Sequence, residues 1–372
     1  MKFTFDRDAM IKEISIAQEI ISTKNAGSIL SNVLLSAKDN TLLIKATDIK
    51  VNFETKIPVQ IEEEGSTTVY CDKFMGILSS LPEGEIEFNQ TSDGEDQAIV
   101  VIIKPVAKKI NFKIKSMSQE KFPEFDSAEN VPYFEVPSQE IKEMICQTAF
   151  AVSEDETRYF MNGVYFEKEG DKLNLVATDG RRLSYASKEL LAGVNEFPAA
   201  IVHPKILNII LKHAPAEGNI SISIVDKMIF FKFGNYKFGS VLLEGQFPNY
   251  KRVIPENQSY TAILNKIDFS VALSRVAIFA EQKAKKILFD FTEDTLTISA
   301  EDSEVGNAKA KIACQYKGDD MRIAVNYVHF TEPVKAMEED DIAIKFSEPN
   351  RAITLNGVPE SEFFHIIMPM QL

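Results

Sequence analysis

Residues 173–185 read LNLVATDGRRLSY and hold the clearest structural signal in the chain. Apolar and polar residues alternate on both sides of Thr178-Asp179-Gly180, as they do in strands that bury one face. An Asp-Gly pair between two such runs indicates a β-hairpin, because glycine tolerates the positive φ that a tight turn needs. The stretch therefore predicts two antiparallel strands joined at Asp179-Gly180.

Shortened copies of this motif occur both earlier and later in the chain. ATD at 46–48 lies 131 residues before ATD at 177–179, and AED at 300–302 lies 123 residues after it; each follows a strand-like run. FPEF at 122–125 and FPNY at 247–250 are 125 residues apart, and proline ends strand pairing at both places. In a chain of 372 residues, this repeat predicts three similar domains, at 1–128, 129–256 and 257–372.

Within each third, the order strand, helix and three strands occurs twice. Each domain is therefore predicted to contain two β-α-β-β-β units. The expected helix caps are Asp6 or Asp8 for the first helix and Ser138 for the third. The predicted helices are 6–21, 72–80, 138–152, 204–213, 266–286 and 327–337. We predict an α+β fold in which two amphipathic helices per domain cover one side of antiparallel sheets.

Composition limits the possible functions. The net charge of −14 argues against nucleic-acid binding through overall charge, although the position of the charges matters more. The six predicted helices carry a small positive excess, and the rest of the chain is acidic. No apolar run reaches the length of a membrane span, and MKFTFDRDAM does not resemble a signal peptide. Cys71, Cys146 and Cys314 are widely spaced, so we expect buried thiols in a cytoplasmic protein, without a disulfide or a zinc site.

Six short motifs occur in order over the whole chain: MKFTF (1–5), LPEG (81–84), RYFMNG (158–163), ATDGRRL (177–183), FPNYKRVIP (247–255) and IMPM (367–370). Together with the threefold repeat, they resemble the bacterial sliding clamps, the beta subunits of DNA polymerase III. The resemblance implies the DNA clamp fold and a ring-shaped, head-to-tail homodimer that encircles duplex DNA. The helices would line the hole and the sheets would face outward.

The resemblance also implies a function without catalysis. The ring would act as a processivity factor that slides on double-stranded DNA without sequence preference. It would tether the replicative polymerase alpha subunit, the clamp loader complex and other proteins that carry a clamp-binding motif. No cofactor, metal or membrane partner is implied.

Site residues follow from the resemblance position by position. The implied DNA contacts are Lys24, Tyr159, Phe160 and Lys205. The implied groove for partner peptides consists of Met161, Thr178, Gly180, Arg181, Arg182, Leu183, Pro248, Val253, Ile366, Met368 and Met370. Aliphatic and methionine side chains form an adaptable apolar surface, which suits several partners. Arg181 stands where relatives often have histidine and Gln371 where they often have arginine, and both departures bear on partner preference.

The implied dimer contacts form two complementary surfaces. One is basic and apolar and consists of Lys73, Ile77, Leu81, Lys109 and Phe112. The other is acidic and apolar and consists of Ile278, Phe279, Glu301 and Glu304. Two different surfaces that meet in this way give a heterologous interface, which closes into a ring if the rotation permits.

Two other functions are compatible with parts of the sequence. A monomeric interaction scaffold could use the same groove without DNA. An enzyme is disfavoured, because the sequence has no GxGxxG, GxxxxGK[ST], HExxH or GxSxG motif. The four histidines, His203, His213, His329 and His365, show no metal-ligand spacing. The acidic run at 338–341 could bind a divalent ion, but a solvated turn explains it more simply.

Overall fold

The computed structural model describes residues 1–22, 25–93, 98–125, 128–190, 194–302 and 304–372. Up to residue 125, the described residues contain two α-helices and nine strands, together with two 3-10 turns at Ile29–Ser31 and Gln119–Lys121. The helices and strands are β1 (Lys2–Asp6), α1 (Arg7–Ile20), β2 (Asn32–Lys38), β3 (Thr41–Thr47), β4 (Val51–Pro58), β5 (Gln60–Glu63), β6 (Gly65–Tyr70), α2 (Cys71–Ser80), β7 (Glu85–Asp93), β8 (Ala98–Pro105) and β9 (Phe112–Lys115).

The remaining elements continue the alternation of helices with groups of strands. In the middle of the chain they are β10 (Phe134–Pro137), α3 (Ser138–Thr148), β11 (Val164–Glu169), β12 (Lys172–Thr178), β13 (Arg182–Glu189), β14 (Ala200–Val202), α4 (Pro204–His213), β15 (Asn219–Val225), β16 (Met228–Phe233) and β17 (Tyr236–Val241). In the last part they are β18 (Tyr260–Asn265), α5 (Lys266–Ala277), β19 (Lys286–Thr292), β20 (Thr295–Asp302), β21 (Gly306–Ala313), β22 (Met321–Asn326), α6 (Val328–Ala336), β23 (Asp341–Phe346), β24 (Ile353–Val358) and β25 (Phe363–Ile367).

The strands form four sheets, and the α+β fold with antiparallel sheets is confirmed. Two smaller sheets have the orders β5-β1-β7-β8-β9 and β21-β20-β19-β22. Two eight-stranded sheets have the orders β10-β15-β16-β17-β4-β3-β2-β6 and β14-β11-β12-β13-β25-β24-β23-β18. Among the residues that the structure describes, no helix has both the length and the apolar content of a membrane span.

The chain forms two compact units. One consists of Met1–Glu135 and His213–Val241, and the other of Val136–Lys212 and Leu242–Leu372. The middle third thus contributes to both: β17 pairs with β4 in the first unit, and β13 pairs with β25 in the second. The division into three domains at 128 and 256 stays a prediction.

The helix starts are partly as predicted. Asp6 caps α1, since its Oδ1 accepts a hydrogen bond from the Ala9 N–H at 2.9 Å. The predicted cap at Ser138 is wrong, because Pro137 occupies the cap position and Ser138 is the buried first residue of α3. The predicted burial of all three thiols is also wrong: Cys71 and Cys314 are buried, but Cys146 lies on the exposed side of α3.

The fifth helix is shorter than the sequence predicts. α5 ends at Ala277 instead of residue 286, where β19 begins. The N–H groups of Phe279 and Ala280 bond to carbonyls three residues earlier, which tightens the chain, and Lys285 adopts a φ of 51°. Lys283 and Lys285 therefore lie outside the helix, so the positive excess on the helices is smaller than predicted.

Candidate functional site

The predicted hairpin is confirmed, with β12 and β13 pairing on either side of the turn. The Arg181 and Arg182 N–H groups donate to Asp179 Oδ1 at 2.9 and 3.0 Å, and the Gly180 N–H donates to Thr178 Oγ1 at 3.1 Å. Gly180 has a φ of 85°, which explains the glycine. These bonds fix the backbone from which the next two arginines project.

The first unit contains a second copy of this turn. The Ile49 N–H donates to Thr47 Oγ1 at 2.9 Å, and the Lys50 and Val51 N–H groups donate to Asp48 Oδ1 at 3.0 and 2.7 Å. The sequence repeat thus extends to individual hydrogen bonds. The copies differ at the glycine position, where Ile49 has a φ of 78° and a side chain that is 64% exposed.

A groove of about 310 Å³ opens beside the second turn. It is built by the turn, by the segment after β17 and by β25 with the residue that follows it. Its lining residues are Met161, Thr178, Gly180, Arg181, Arg182, Leu183, Pro248, Asn249, Tyr250, Val253, Ile366 and Met368. The structure therefore brings together every predicted groove residue except Met370, whose N–H instead donates to the Ala324 carbonyl at 2.7 Å. Whether these residues bind a peptide stays a prediction.

Asn249 and Tyr250 line the groove although they are not among the predicted groove residues. Both belong to FPNY at 247–250, so the repeated phrase was the signal that could have identified them. Tyr250 is buried, and its hydroxyl donates to Glu167 Oε2 at 2.6 Å. Burial, and then this hydrogen bond, raises the pKa of Tyr250, so the phenol stays protonated and the bond is kept.

The floor of the groove is a packed apolar cluster. Phe247 stacks on Tyr165 with ring centroids 4.6 Å apart and planes 6° apart. The buried members of the cluster are Val176, Leu183, Ile201, Phe247, Tyr250 and Ile366. At the opening, Val253 and Met368 are 52% and 45% exposed, so the groove has apolar side chains at its edge. A rigid apolar floor with exposed apolar edges suits the burial of apolar side chains from a partner.

The arginines around the groove differ in what they contact. Arg182 is held by Asp179 Oδ2 at 3.0 Å, by the Phe150 carbonyl at 2.8 Å and by a close ion pair with Glu332. Arg158 donates to Asp155 Oδ2 at 2.8 Å and to the Asp179 carbonyl at 3.3 Å. Arg182 is therefore held in place as part of the wall of the groove.

Two histidines lie behind this wall. His365 is fully buried, and its ring centroid lies 5.6 Å from that of Phe150. Within the described part of the chain, neither nitrogen of the His365 imidazole has a hydrogen-bond partner. Burial, with the charge of Arg182 as a second cause, lowers the pKa of His329 to about 4. Burial likewise lowers the pKa of His365. Both imidazoles are therefore neutral at pH 7. No pattern in the sequence predicts that these two histidines lie near the same arginine.

The other two histidines have simpler roles. His203 Nδ1 accepts a hydrogen bond from the Lys205 N–H at 3.0 Å and thus caps α4. His213 lies 3.1 Å from Glu19 Oε1. No group of three or more metal-binding side chains occurs among the described residues.

The predicted DNA contacts occupy different environments. Tyr159 is 52% exposed on the short helix Glu156–Met161, so it lies two residues from the groove residue Met161. Phe160 is half-buried against the floor cluster and meets the Tyr159 ring edge-on at 5.8 Å. Lys205 is half-buried in the first turn of α4. Lys24 lies outside the described residues.

The predicted dimer residues are only partly accessible. In the first unit, Lys73 and Lys109 are exposed and Phe112 is half-buried, whereas Ile77 and Leu81 are 9% and 3% exposed. In the second unit, Ile278 is 78% exposed, Glu301 and Glu304 are exposed, and Phe279 is half-buried. Leu81 therefore has little surface to offer to a partner.

Comparisons with known proteins cover the whole chain. Three family models match: the N-terminal domain of the DNA polymerase III beta subunit at residues 1–126, its central domain at 135–249 and its C-terminal domain at 251–371. The beta sliding clamp of Treponema pallidum (strain Nichols) is 43% identical, with 100% of both chains covered.

Solved structures agree with the family models. The C. crescentus beta sliding clamp, solved with PEG bound to a putative beta-motif tethering region, has a TM-score of 0.94 and 25% identity, covering 100% of this chain and 99% of that one. The Borrelia burgdorferi DNA polymerase III subunit beta, in complex with a natural product, has a TM-score of 0.92 and 27% identity, with 100% of both chains covered. With its repeated turn, its apolar groove and this full-length similarity, the chain belongs to the DNA polymerase III beta subunit family, the beta sliding clamps.

Proposed function

We propose that this protein is the processivity factor of the replicative DNA polymerase. Two copies form a ring that encircles duplex DNA and slides along it, and the groove tethers the polymerase to the ring. The observation that carries this proposal is the apolar groove at the Asp179-Gly180 turn, in a chain that resembles sliding clamps over its full length.

The groove favours short linear peptides as partners. Its volume of about 310 Å³ suits a few side chains, and its exposed edges, Val253 and Met368, would be covered by a bound segment. The partners we propose are the polymerase alpha subunit, the clamp loader complex and other proteins with a clamp-binding motif. Methionine adapts to different apolar shapes, so one groove can serve several of them.

The ring requires two different surfaces that recognise each other. Exposed Lys73 and Lys109 lie in one unit, and exposed Ile278 and Glu301 lie in the other. Opposite charge around apolar contacts selects a head-to-tail pairing over the pairing of like surfaces. We propose that the three predicted domains of each copy form half of the ring.

A ring explains how an acidic protein can act on DNA. With a net charge of −14, the chain cannot hold DNA by overall electrostatic attraction. Encirclement needs only a few phosphate contacts, which lets the ring slide without sequence preference. Tyr159, Phe160 and Lys205 are the contacts we propose among the described residues, and the protein would act in the cytoplasm without a cofactor.

The test combines the mass of the protein in solution with its retention on circular and linear DNA. Light scattering should give about twice the chain mass of 41.8 kDa. After loading by the clamp loader ATPase, the protein should stay on nicked circular DNA and leave once the circle is cut. If the protein is a monomer and is never retained on circular DNA, the result favours the interaction scaffold. Equal loss from circular and linear DNA would mean ordinary electrostatic binding.

A further inference from the structure

A second cavity lies in the second unit, apart from the groove. It has a volume of about 420 Å³ and opens between the segment 254–258 and one face of the sheet that contains β18, β23, β24 and β25. No described residue lines both this cavity and the groove. The proposed function makes no use of it.

The wall of this cavity is a patch of one sheet face. Thr261 on β18 pairs with Lys345 on β23, and Lys345 pairs with Thr354 on β24. Two residues further along β24, Asn356 pairs with Phe364 on β25. Because side chains alternate between the two faces of a strand, these five residues project from the same face.

The opposite side of the cavity is the segment 254–258, which is held against the sheet. Gln258 Nε2 donates to the carbonyls of Lys345 and Ala352, both at 2.9 Å. Phe364 packs against the apolar cluster that forms the floor of the groove, so its ring is supported from behind. The cavity is therefore formed before any ligand binds, and little order has to be gained on binding.

Asn356 has an acceptor that the protein does not use. The residue lines the cavity and is 4% exposed, and its Nδ2 donates to the Gly357 carbonyl at 3.0 Å. Its Oδ1 accepts no hydrogen bond from any residue that the structure describes. A buried amide oxygen without a donor destabilises a protein, so a ligand that supplies an N–H group would remove this cost.

The charges around the cavity favour a cation. Its lining contains two carboxylates, those of Glu256 and Glu360, and one ammonium group, that of Lys345. Lys345 forms a close ion pair with Glu360. Glu256 is exposed and forms no salt bridge within the described part of the chain, so its negative charge stays uncompensated.

We propose that this cavity binds a guanidinium group. The planar cation lies over the Phe364 ring, donates to Asn356 Oδ1 and pairs with the Glu256 carboxylate. A guanidinium has five N–H donors in one plane, so it can stack on a ring and donate to two separate acceptors, which suits this cavity better than a compact ammonium group. Free arginine and the arginine side chain of a protein both carry this group.

Saturation-transfer NMR measures the binding of small probes to the full chain. The probes are L-arginine, N-acetyl-L-arginine amide, N-acetyl-L-lysine amide and N-acetyl-L-citrulline amide, whose urea group has the shape of a guanidinium without its charge. The cavity variants are Asn356→Leu, in which an apolar side chain of similar size replaces the amide, and Glu256→Gln. Glu338→Gln is the matched control, because Glu338 is exposed in the same unit and does not line the cavity. Thermal unfolding checks that each variant is folded.

We expect the better arginine probe to bind with a dissociation constant of about 1 mM, which is typical of a ligand with about 15 non-hydrogen atoms. Its affinity should fall about 3- to 10-fold in Asn356→Leu and about 2- to 5-fold in Glu256→Gln, and it should not change in Glu338→Gln. The lysine and citrulline probes should bind more weakly. Tighter binding of the capped arginine identifies a protein side chain as the source of the group, and tighter binding of free arginine identifies a free molecule.

Three results would overturn the proposal. One is equal binding of the arginine, lysine and citrulline probes. Another is arginine binding that neither cavity variant weakens; Glu256 is exposed, so its variant should fold even if Asn356→Leu does not. The third is no binding to the unaltered chain at concentrations about tenfold above 1 mM. Because none of these measurements involves the groove, DNA or the dimer, their outcome is independent of the proposed function.

Discussion

Acid should destabilise the second unit through His329. Its imidazole is 8% exposed, and its Nδ1 has no hydrogen-bond partner among the described residues. Arg182 faces the ring from β13 and disfavours the charged form, while Asp179 favours it to a smaller extent. Burial is the largest of these effects, so the folded protein resists protonation at this position.

The magnitude follows from the two pKa values. The unfolded chain takes up the proton below its ordinary pKa of 6.5, whereas the folded chain does so only near pH 4. The unfolded state therefore binds more protons between these values, and the free energy of unfolding falls as the pH falls through that window. From neutral pH to about pH 5, His329 alone should cost about 2 kcal/mol. His365 acts in the same direction.

The assay is urea unfolding followed by circular dichroism at about pH 7.5 and about pH 5. The chain has no tryptophan, so circular dichroism replaces the usual fluorescence. His329→Gln removes the titrating group and should reduce the acid-induced loss by about 2 kcal/mol. His213→Gln, which removes a histidine from the other unit, should leave that loss in place. If the unaltered chain and His329→Gln lose equal stability on acidification, the burial argument is refuted.

Three further predictions use single substitutions. Gly163→Ala should destabilise the protein by roughly 1–3 kcal/mol, because a Cβ there would lie 2.7 Å from the Val202 carbonyl oxygen. Gly76→Ala should stabilise it by roughly 0.5–1 kcal/mol, because Gly76 lies in the middle of α2 with open space around its Cα. Urea unfolding compares the two variants. Val253→Ala should weaken binding of the clamp-binding peptide of the polymerase alpha subunit about 3- to 10-fold in fluorescence anisotropy, with stability unchanged because the side chain is 52% exposed; unaltered affinity would remove Val253 from the binding surface. Ile278→Glu should halve the mass measured by light scattering, because it puts a charge where we propose an apolar dimer contact. A dimer of full mass would place the interface elsewhere.

The parts of the fold that the sequence predicts well are those fixed by local chemistry. The turn at Asp179-Gly180 needs only a glycine with positive φ and a carboxylate that reaches the next N–H groups, and all of these lie within a few residues. The α1 cap at Asp6 is equally local. Of the buried floor residues, only Leu183 and Ile366 were predicted, and that prediction came from the resemblance to the family.

The parts that the sequence does not predict depend on distant residues. After Ala277 the chain continues with good helix formers and no glycine or proline, so no local signal ends α5 there. Arg181 and Arg182 are identical neighbours, yet only Arg182 is neutralised by Glu332, 150 positions away. The convergence of His329 and His365 on Arg182 has the same origin. Which arginine stays available to a partner is therefore a property of the tertiary structure.

The two copies of the hairpin turn show how one backbone can present different surfaces. At Ile49 the left-handed conformation costs a β-branched residue about 1–2 kcal/mol, which the hydrogen bonds to Asp48 can offset. The resulting side chain is 64% exposed. At Gly180 a Cβ would lie 3.0 Å from Arg158 Nη1, and Arg158 donates to the carbonyl of the same turn. The glycine thus relieves strain and also leaves room for the arginine beside the groove. The two copies of the turn therefore share one backbone conformation. The residue at the glycine position differs: at 49 an isoleucine side chain projects from the turn, and at 180 the glycine leaves that space to Arg158.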